Sequence, residues 1–276
     1  MKIRIATCKE LPEFDADAAP LAAALTRAGV EHELLAWDDP DVAWDEPGPT
    51  IIRSTWNYVQ DVVGFLAWLD RVAAVGVVLN PPSIVRRNIH KRYLLELANR
   101  GVPVVPTTVV EQGFAIDVPN ERCVIKPEVG AGSISTRVFE ANDPAAVAHC
   151  AELTAHGAAL LQPYVTSVDG YGERSLVWID GELSHAIRKS PRFAGQAECV
   201  TGPFPITPEE REVALAALAP IASELLYARV DLARDERGHP MVMELELVEP
   251  SLFFARHPPS VDRFVDALYN RLVAGR

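Results

Sequence analysis

Short apolar runs alternate with longer stretches in which apolar residues recur every three or four positions. Lys2–Thr7 (KIRIAT), Glu31–Trp37, Thr50–Arg53 and Val77–Leu79 have the length and composition of buried strands. Between them lie two helical patterns. One is entered by Asp17 and Pro20 and stopped by Gly29; the other runs over Phe65–Val75 and ends at Gly76. Strands alternating with helices predict a doubly wound parallel sheet. Asn80-Pro81-Pro82 breaks this pattern and marks a domain boundary. A single long helix is expected from Ser83 to Arg100, closed by Gly101.

Beyond that point the grammar becomes mixed α/β. Arg122–Lys126, Arg137–Glu140 and Ala159–Val165 read as strands around a helix over Pro144–Ala155. Pro163 lacks an N–H, so strand pairing should stop there. Two hairpins follow. Arg174–Ile179 and Glu182–Ile187 are joined by Asp180-Gly181, a strong two-residue turn; Ala228–Ala233 and Met241–Val248 are joined across Asp235–His239. Thr207, Pro208 and Glu210 form a capping-box signature between them, and a last helix covers Val261–Val273. The expected division is residues 1–82, 83–165 and 166–276.

The second hairpin holds the strongest chemical signal. Glu244 and Glu246 leave one face of their strand. A turn centred on Arg237-Gly238 sets Asp231 opposite Glu244. Each like-charged pair at about 4 Å costs roughly 1 kcal/mol in water and about 4 kcal/mol when partly buried. A divalent cation removes that cost, and oxygen-only ligands suit Mg²⁺ bound together with phosphate. The same acids also suit an exposed strand edge protected against aggregation. A one-residue slip of register would separate them.

Charge and composition narrow the partners. Lys and Arg total 26 against 38 Asp and Glu, a formal charge of −12, which disfavours nucleic acid. The N-terminus has no signal-peptide layout and no apolar run is long enough to span a bilayer, so a cytoplasmic protein is expected. Cys8, Cys123, Cys150 and Cys199 are far apart and read as free thiols. Only five lysines occur: Lys2, Lys9, Lys91, Lys126 and Lys189. Lys126 ends a strand beside the small-residue loop Gly130–Ser133, a place where charge and backbone N–H groups can hold phosphate. Neither a P-loop nor a dinucleotide fingerprint is present, and no hydrolase triad is found. Arg53-Ser54-Thr55 follow a parallel strand, where open sheets bind ligands; Arg53 can pair with a carboxylate, or the stretch can simply cover the core. Backbone groups freed at Gln162–Val165 can read a base edge, and Asp169 can accept from a ribose.

In this order, Lys91 at a helix start, Lys126 with its glycine loop, QPYV at Gln162–Val165, Gly172-Glu173-Arg174, Arg188, Arg229-Val230-Asp231 and Met243–Glu246 resemble the ATP-grasp superfamily of carboxylate–amine ligases. The resemblance covers Ser83–Ser251, with residues 1–82 as the smaller preceding α/β domain. It implies ATP and Mg²⁺ as cofactors. Lys91, Lys126, Gly132, Ser133, Gln162, Tyr164, Val165 and Asp169 would hold ATP; Asp231, Glu244 and Glu246 would hold the metal. Arg188 and Arg229 would stabilise the moving phosphoryl group, and Arg53, Ser54 and Thr55 would meet the substrate. Many members carry Asn where Glu246 stands, so Glu246 has either a metal role or another one. The stretches CKELPEFD, RSTWNY, GERSLVWIDGELSHAIRKSP and MELELVEPSLFF are similar to the cyclo-ligase branch, which closes O-ureido-D-serine to D-cycloserine. The expected substrate is thus a small carboxylate, activated as an acyl phosphate, with no membrane partner and a second copy of the chain as the one macromolecular partner kept open. An intermolecular amino-acid or peptide ligase and a non-catalytic nucleotide-binding module are the alternatives. The loop Pro191–Pro205, with Gly195 and Gly202 as hinges, is the expected lid.

Overall fold

The computed structural model describes residues 2–190 and 199–274. Its strands fall into three sheets in chain order. The first holds β1 (Ile3–Thr7), β2 (His32–Ala36), β3 (Thr50–Ser54) and β4 (Val78–Leu79), all parallel, in the order β2-β1-β3-β4. Helices α1 (Ala18–Arg27) and α2 (Val62–Val75) link its strands. An aromatic cluster of Trp37, Trp44, Phe65 and Trp68 packs one side, with Trp37 and Phe65 edge to face at 5.3 Å.

The expected helix over Ser83–Arg100 is instead two short ones, α3 (Pro82–Asn88) and α4 (Tyr93–Asn99). At the end of α3 the buried Asn88 side chain is tied to the third sheet. Its Nδ2 donates to Leu245 O and its Oδ1 accepts from Leu247 N, both at 2.8 Å. The Lys91 N–H then turns to Glu128 O at 3.1 Å, so the break aims this segment at the middle sheet.

That sheet is antiparallel, with β5 (Thr108–Val110), β6 (Cys123–Pro127), β7 (Arg137–Phe139) and β8 (Ala159–Pro163) in the order β5-β8-β6-β7. Strand β5 carried no sequence signal beyond Thr-Val-Val. Strand β8 closes with Pro163 opposite Cys123, and against the expected stop one further bond follows in the same register, from Tyr164 N–H to Arg122 O at 2.9 Å. Helix α5 (Ala145–Thr154) covers this sheet, and the single turn α6 (Ser167–Gly170) leads out of it.

The third sheet holds β9 (Glu173–Ile179), β10 (Glu182–Lys189), β11 (Val200–Phe204), β12 (Tyr227–Arg234) and β13 (Pro240–Glu246), antiparallel in the order β11-β10-β9-β12-β13. Of the expected lid, residues 191–198 with Gly195 lie outside the described residues, and Val200–Phe204 with Gly202 is the edge strand β11. Helix α7 (Pro208–Leu218) starts with the full capping box, Thr207 Oγ1 accepting from Glu210 N and Glu210 accepting from Thr207 N. Helix α8 (Pro259–Ala274) packs on α1 and under the third sheet through Phe264 and Leu268, in one apolar cluster with Ile3, Ile5, Val177 and Tyr227.

The first and third sheets are thus stitched through a common core. Asn80, fully buried, donates to Tyr227 O and Leu247 O at 2.8 Å and accepts from Leu226 N at 2.7 Å. The Tyr227 hydroxyl lies 2.7 Å from Ile52 O and 2.8 Å from Val248 O. Replacing Asn80 with Ala strands three buried backbone groups. At about 1–3 kcal/mol per unsatisfied group, the Asn80→Ala protein should lose roughly 3 kcal/mol in a urea titration.

Candidate active site

Alternation along the third sheet gathers the charged residues on one face. Pairing sets Arg229 opposite Glu246 and Asp231 opposite Glu244, the register expected from the turn. A bulge follows at once, between Asp231 and Leu232, so the rest of the hairpin is shifted by one residue. On the other side Asp231 faces Ser175 of β9, Ser175 faces Ile187, and Glu173 faces Lys189 of β10. The inward residue of β10 is therefore Lys189. Arg188, one position away, points to the opposite face, where it is exposed and lies over the Phe204 ring at 5.4 Å. Lys189 stands where Arg188 was expected.

Asp231 is the buried centre, fully shielded from solvent. Arg229 grips it in a fork, Nε to Oδ1 and Nη2 to Oδ2 at 2.9 Å each, and Lys189 Nζ reaches Oδ2 at 2.8 Å. Arg229 also pairs with Glu246, and Lys189 with Glu173. Burial opposes the Asp231 charge, but Arg229 and Lys189 outweigh it and hold the carboxyl well below its usual range. Glu244 pairs with Lys91 at 2.8 Å and sits at about 2: burial works against its charge, and Lys91 and Lys126 overcome it. Glu246 goes the other way. Burial, joined by repulsion from Asp231 and Glu244, raises it to about 7 against the pull of Arg229. Burial likewise raises Glu173 and Glu249 to about 8.

Oxygen atoms of Asp231, Glu244 and Glu246 all lie within 4.8 Å of one another. An all-carboxylate set of this spacing fits Mg²⁺, and the three acids could hold it without rearranging the strands. The bulge matters here: it lets Asp231 keep its place opposite Glu244 while the hairpin end twists away.

Glu173, Lys189, Arg229, Glu244, Glu246 and Glu249 line a cleft of ≈ 530 Å³ between the middle and third sheets, and Asp231 stands behind them, bonded to Arg229 and Lys189. Lys91 enters from the break between α3 and α4, its Nζ also donating to Gly130 O at 2.6 Å. Lys126 enters from the end of β6, and burial lowers its pKa. Gly132 and Ser133 line the cleft with φ of 60° and 59°, a left-handed turn of the kind that points successive N–H groups at an anion. Gln162, Tyr164 and Val165 line it from the end of β8, and Gln162 is fixed by its bond to Thr107 Oγ1 at 2.8 Å. Asp169 is exposed and stands behind this wall: it pairs with the Tyr164 hydroxyl, while Arg122 lies 3.7 Å over the Tyr164 ring.

The Arg53-Ser54-Thr55 stretch is not brought into the cleft. Arg53 is buried beneath it, donating to Pro250 O at 2.8 Å beside Asp17 at 3.4 Å. Ser54 Oγ bonds Thr7 Oγ1 at 2.9 Å, and Thr55 is fully buried. The cleft is reached instead by Trp56 and Tyr58 of the same segment. Lys189, a candidate from the scarcity of lysines but given no role, lines the cleft, as do Glu173, Glu249, Ser251 and Phe253, which the sequence does not single out as site residues. Counting outward from Asp231 across β9 to β10 would have found Lys189. The residues of the 249–253 loop carry no local signal, because their place depends on contacts with the first sheet.

A family model described as the N-terminal domain of D-cycloserine synthetase DcsG matches residues 3–80. The cycloserine biosynthesis protein DcsG of Streptomyces lavendulae is 37% identical over 284 residues, covering 94% of this chain and 95% of that protein. A crystal structure of D-cycloserine synthetase DcsG superposes with a TM-score of 0.89 at 34% identity, over 99% of this chain and 100% of that one. More distant likenesses show the fold alone: the ATP-grasp ligase PsnB with its minimal precursor (TM-score 0.66, 19% identity, 98% of each chain) and the D-alanine–D-alanine ligase of Bacillus anthracis with ATP (0.64, 16%, 98% of this chain and 96% of that one).

Acids held above their ordinary pKa add stability that is complete below about pH 4.5 and lost as pH rises through 7–8, where Glu246, Glu173 and Glu249 titrate. Without divalent cation, the urea midpoint should be lower at pH 8.5 than at pH 6.5. Adding Mg²⁺ should shrink that difference; an equal difference with and without Mg²⁺ would contradict a metal site at these acids.

Proposed function

The chain belongs to the DcsG family of ATP-grasp ligases, an ATP-dependent ligase by that membership, and from this premise we propose that it closes O-ureido-D-serine to D-cycloserine with Mg-ATP. The observation that carries the reading is the convergence of Lys91, Lys126, Lys189, Arg229, Glu244 and Glu246 in one cleft, with Asp231 behind them and within 4.8 Å of both glutamates. We read residues 1–82, 83–165 and 166–276 as the three functional pieces, with the nucleotide lying between the second and the third.

Lys126, Lys91 and the N–H groups of Gly132 and Ser133 hold the phosphates, and the wall from Gln162 to Val165 holds the base. Bound at Asp231, Glu244 and Glu246, Mg²⁺ supplies charge neutralisation on the phosphate oxygens. The substrate carboxylate attacks the γ-phosphorus, giving ADP and an acyl phosphate. Arg229 and Lys189 balance the charge that develops, acting from positions already fixed by Asp231 and so without reorganisation. The ureido nitrogen bonded to oxygen then attacks the acyl carbon. The N–C bond forms and inorganic phosphate leaves; water then adds to the carbamoyl carbon, the bond from that carbon to the ring nitrogen breaks as the nitrogen takes a proton, and the released carbamic acid gives carbon dioxide and ammonia. Holding one molecule folded for this attack is worth about 7–11 kcal/mol as effective molarity. Trp56, Tyr58 and Phe253 shield the reacting end from water, which would otherwise hydrolyse the acyl phosphate.

O-Ureido-D-serine, ATP and Mg²⁺ should together yield ADP, phosphate and D-cycloserine without a second organic substrate. ADP release that requires a separate acid and amine would replace ring closure with an intermolecular reaction. In the same assay Lys189→Met should lose about 10²–10³-fold in kcat/KM, the cost typical of a lost charge-stabilising donor, whereas Arg188→Met should stay within about threefold.

A further inference from the structure

On the side of the cleft formed by residues 56–58 and 248–253, the cations and acids are not evenly matched. Arg229 is engaged by Asp231 and Glu246, Lys189 by Asp231 and Glu173, and Lys91 by Glu244. Glu249 lines the same cleft, yet among the described residues its carboxylate has neither a hydrogen bond nor an ion pair. Its backbone, by contrast, is tightly held. Trp56 Nε1 donates to Glu249 O at 3.0 Å, and Arg53 Nη2 donates to the next carbonyl, Pro250 O, at 2.8 Å. A half-buried carboxyl group fixed by its main chain and without a partner in an aromatic-walled cleft is placed to receive a cationic group.

We propose that Glu249 is the specificity residue that receives the α-ammonium group of an amino-acid substrate, while Arg229 faces the carboxylate to be activated. The inference rests on the reading of the substrate as O-ureido-D-serine and assigns the residue that selects its free amine. Arg229 is close enough for its charge to act on Glu249, so the two can bracket the two ends of one zwitterion. Glu13 also lines this side, but it is exposed, where an ion pair contributes little. Burial lifts Glu249 to about 8, and an arriving ammonium would restore its ionised form.

Steady-state kinetics of the full chain with Mg-ATP tests this. Glu249→Gln should raise the KM for O-ureido-D-serine about 10–100-fold, as expected for loss of a charge-assisted contact, with the KM for ATP within twofold, which also reports correct folding. Glu249→Asp should recover part of the loss. The analogue with hydrogen in place of the amino group should be used equally poorly by the wild type and by Glu249→Gln. An unchanged KM, a fall in kcat alone (the mark of a general base), undiminished discrimination against the deamino analogue, or the same loss in Glu13→Gln but not in Glu249→Gln would each overturn the assignment. Failure of the parent reading shows separately, as wild-type protein that releases no ADP with O-ureido-D-serine. The variants are then compared on the acid-plus-amine pair that does release it, where an amino-acid substrate must show the same rise in KM.

Discussion

The fork between Arg229 and Asp231 is the contact on which the rest of the cleft depends. A carboxylate with no solvent exposure is tolerated only when its charge is met with good geometry. Arg229 and Lys189 meet it from β12 and β10, which fixes those strands relative to each other. With Asp231 anchored, Glu244 has a defined neighbour across the hairpin, and Lys91 reaches in from the break between α3 and α4 to pair with it. Removing one member would leave an uncompensated buried charge and not merely a missing bond. The positive groups suited to a triphosphate are thus already oriented by the acids suited to its metal.

That balance also sets the protonation pattern. Asp231 and Glu244, whose cations outweigh their burial, stay ionised, while burial keeps Glu246, Glu173 and Glu249 resistant to ionisation, the first two despite ion pairs to Arg229 and Lys189. Strong interaction of Asp231 and Glu244 with their cations leaves less charge to support the others. The cleft is therefore prepared for additional positive charge, in keeping with a divalent metal on one side and an ammonium on the other.

Much of this was legible from the chain, and the failures have physical causes. The expected turn centre pairs Asp231 with Glu244 directly; next to the turn the observed register, Leu232 with Val242, is one residue off that expectation, and the bulge after Asp231 brings Asp231 back opposite Glu244. The parallel first sheet follows from its alternating elements. The choice of Arg188 failed by one residue, because a strand turns adjacent side chains to opposite faces and motif order does not say which. The helix expected over Ser83–Arg100 is broken by Asn88, whose partners Leu245 and Leu247 lie far along the sequence. Arg53 was read as a ligand for a substrate carboxylate, yet its partners are Pro250 O and Asp17. Asp17 in turn marked a helix start, but its carboxylate accepts the backbone N–H groups of Leu252, Phe253 and Phe254 instead of capping α1. Long-range contacts of this kind leave no periodicity to read.

Asp17 also bears on how such chains can diverge. The loop that borders the acceptor end of the cleft belongs to the last third of the sequence, but its seat is an aspartate, an arginine and a tryptophan from the first quarter. Recombination that exchanged residues 1–80 between relatives would therefore transplant the footing of this wall while leaving untouched the residues proposed to hold phosphate and metal. New acceptors can be explored by drift in a segment that meets the cleft through Pro12, Glu13, Trp56 and Tyr58 alone, and compatibility between the two ends of the chain is the condition such exchanges must meet.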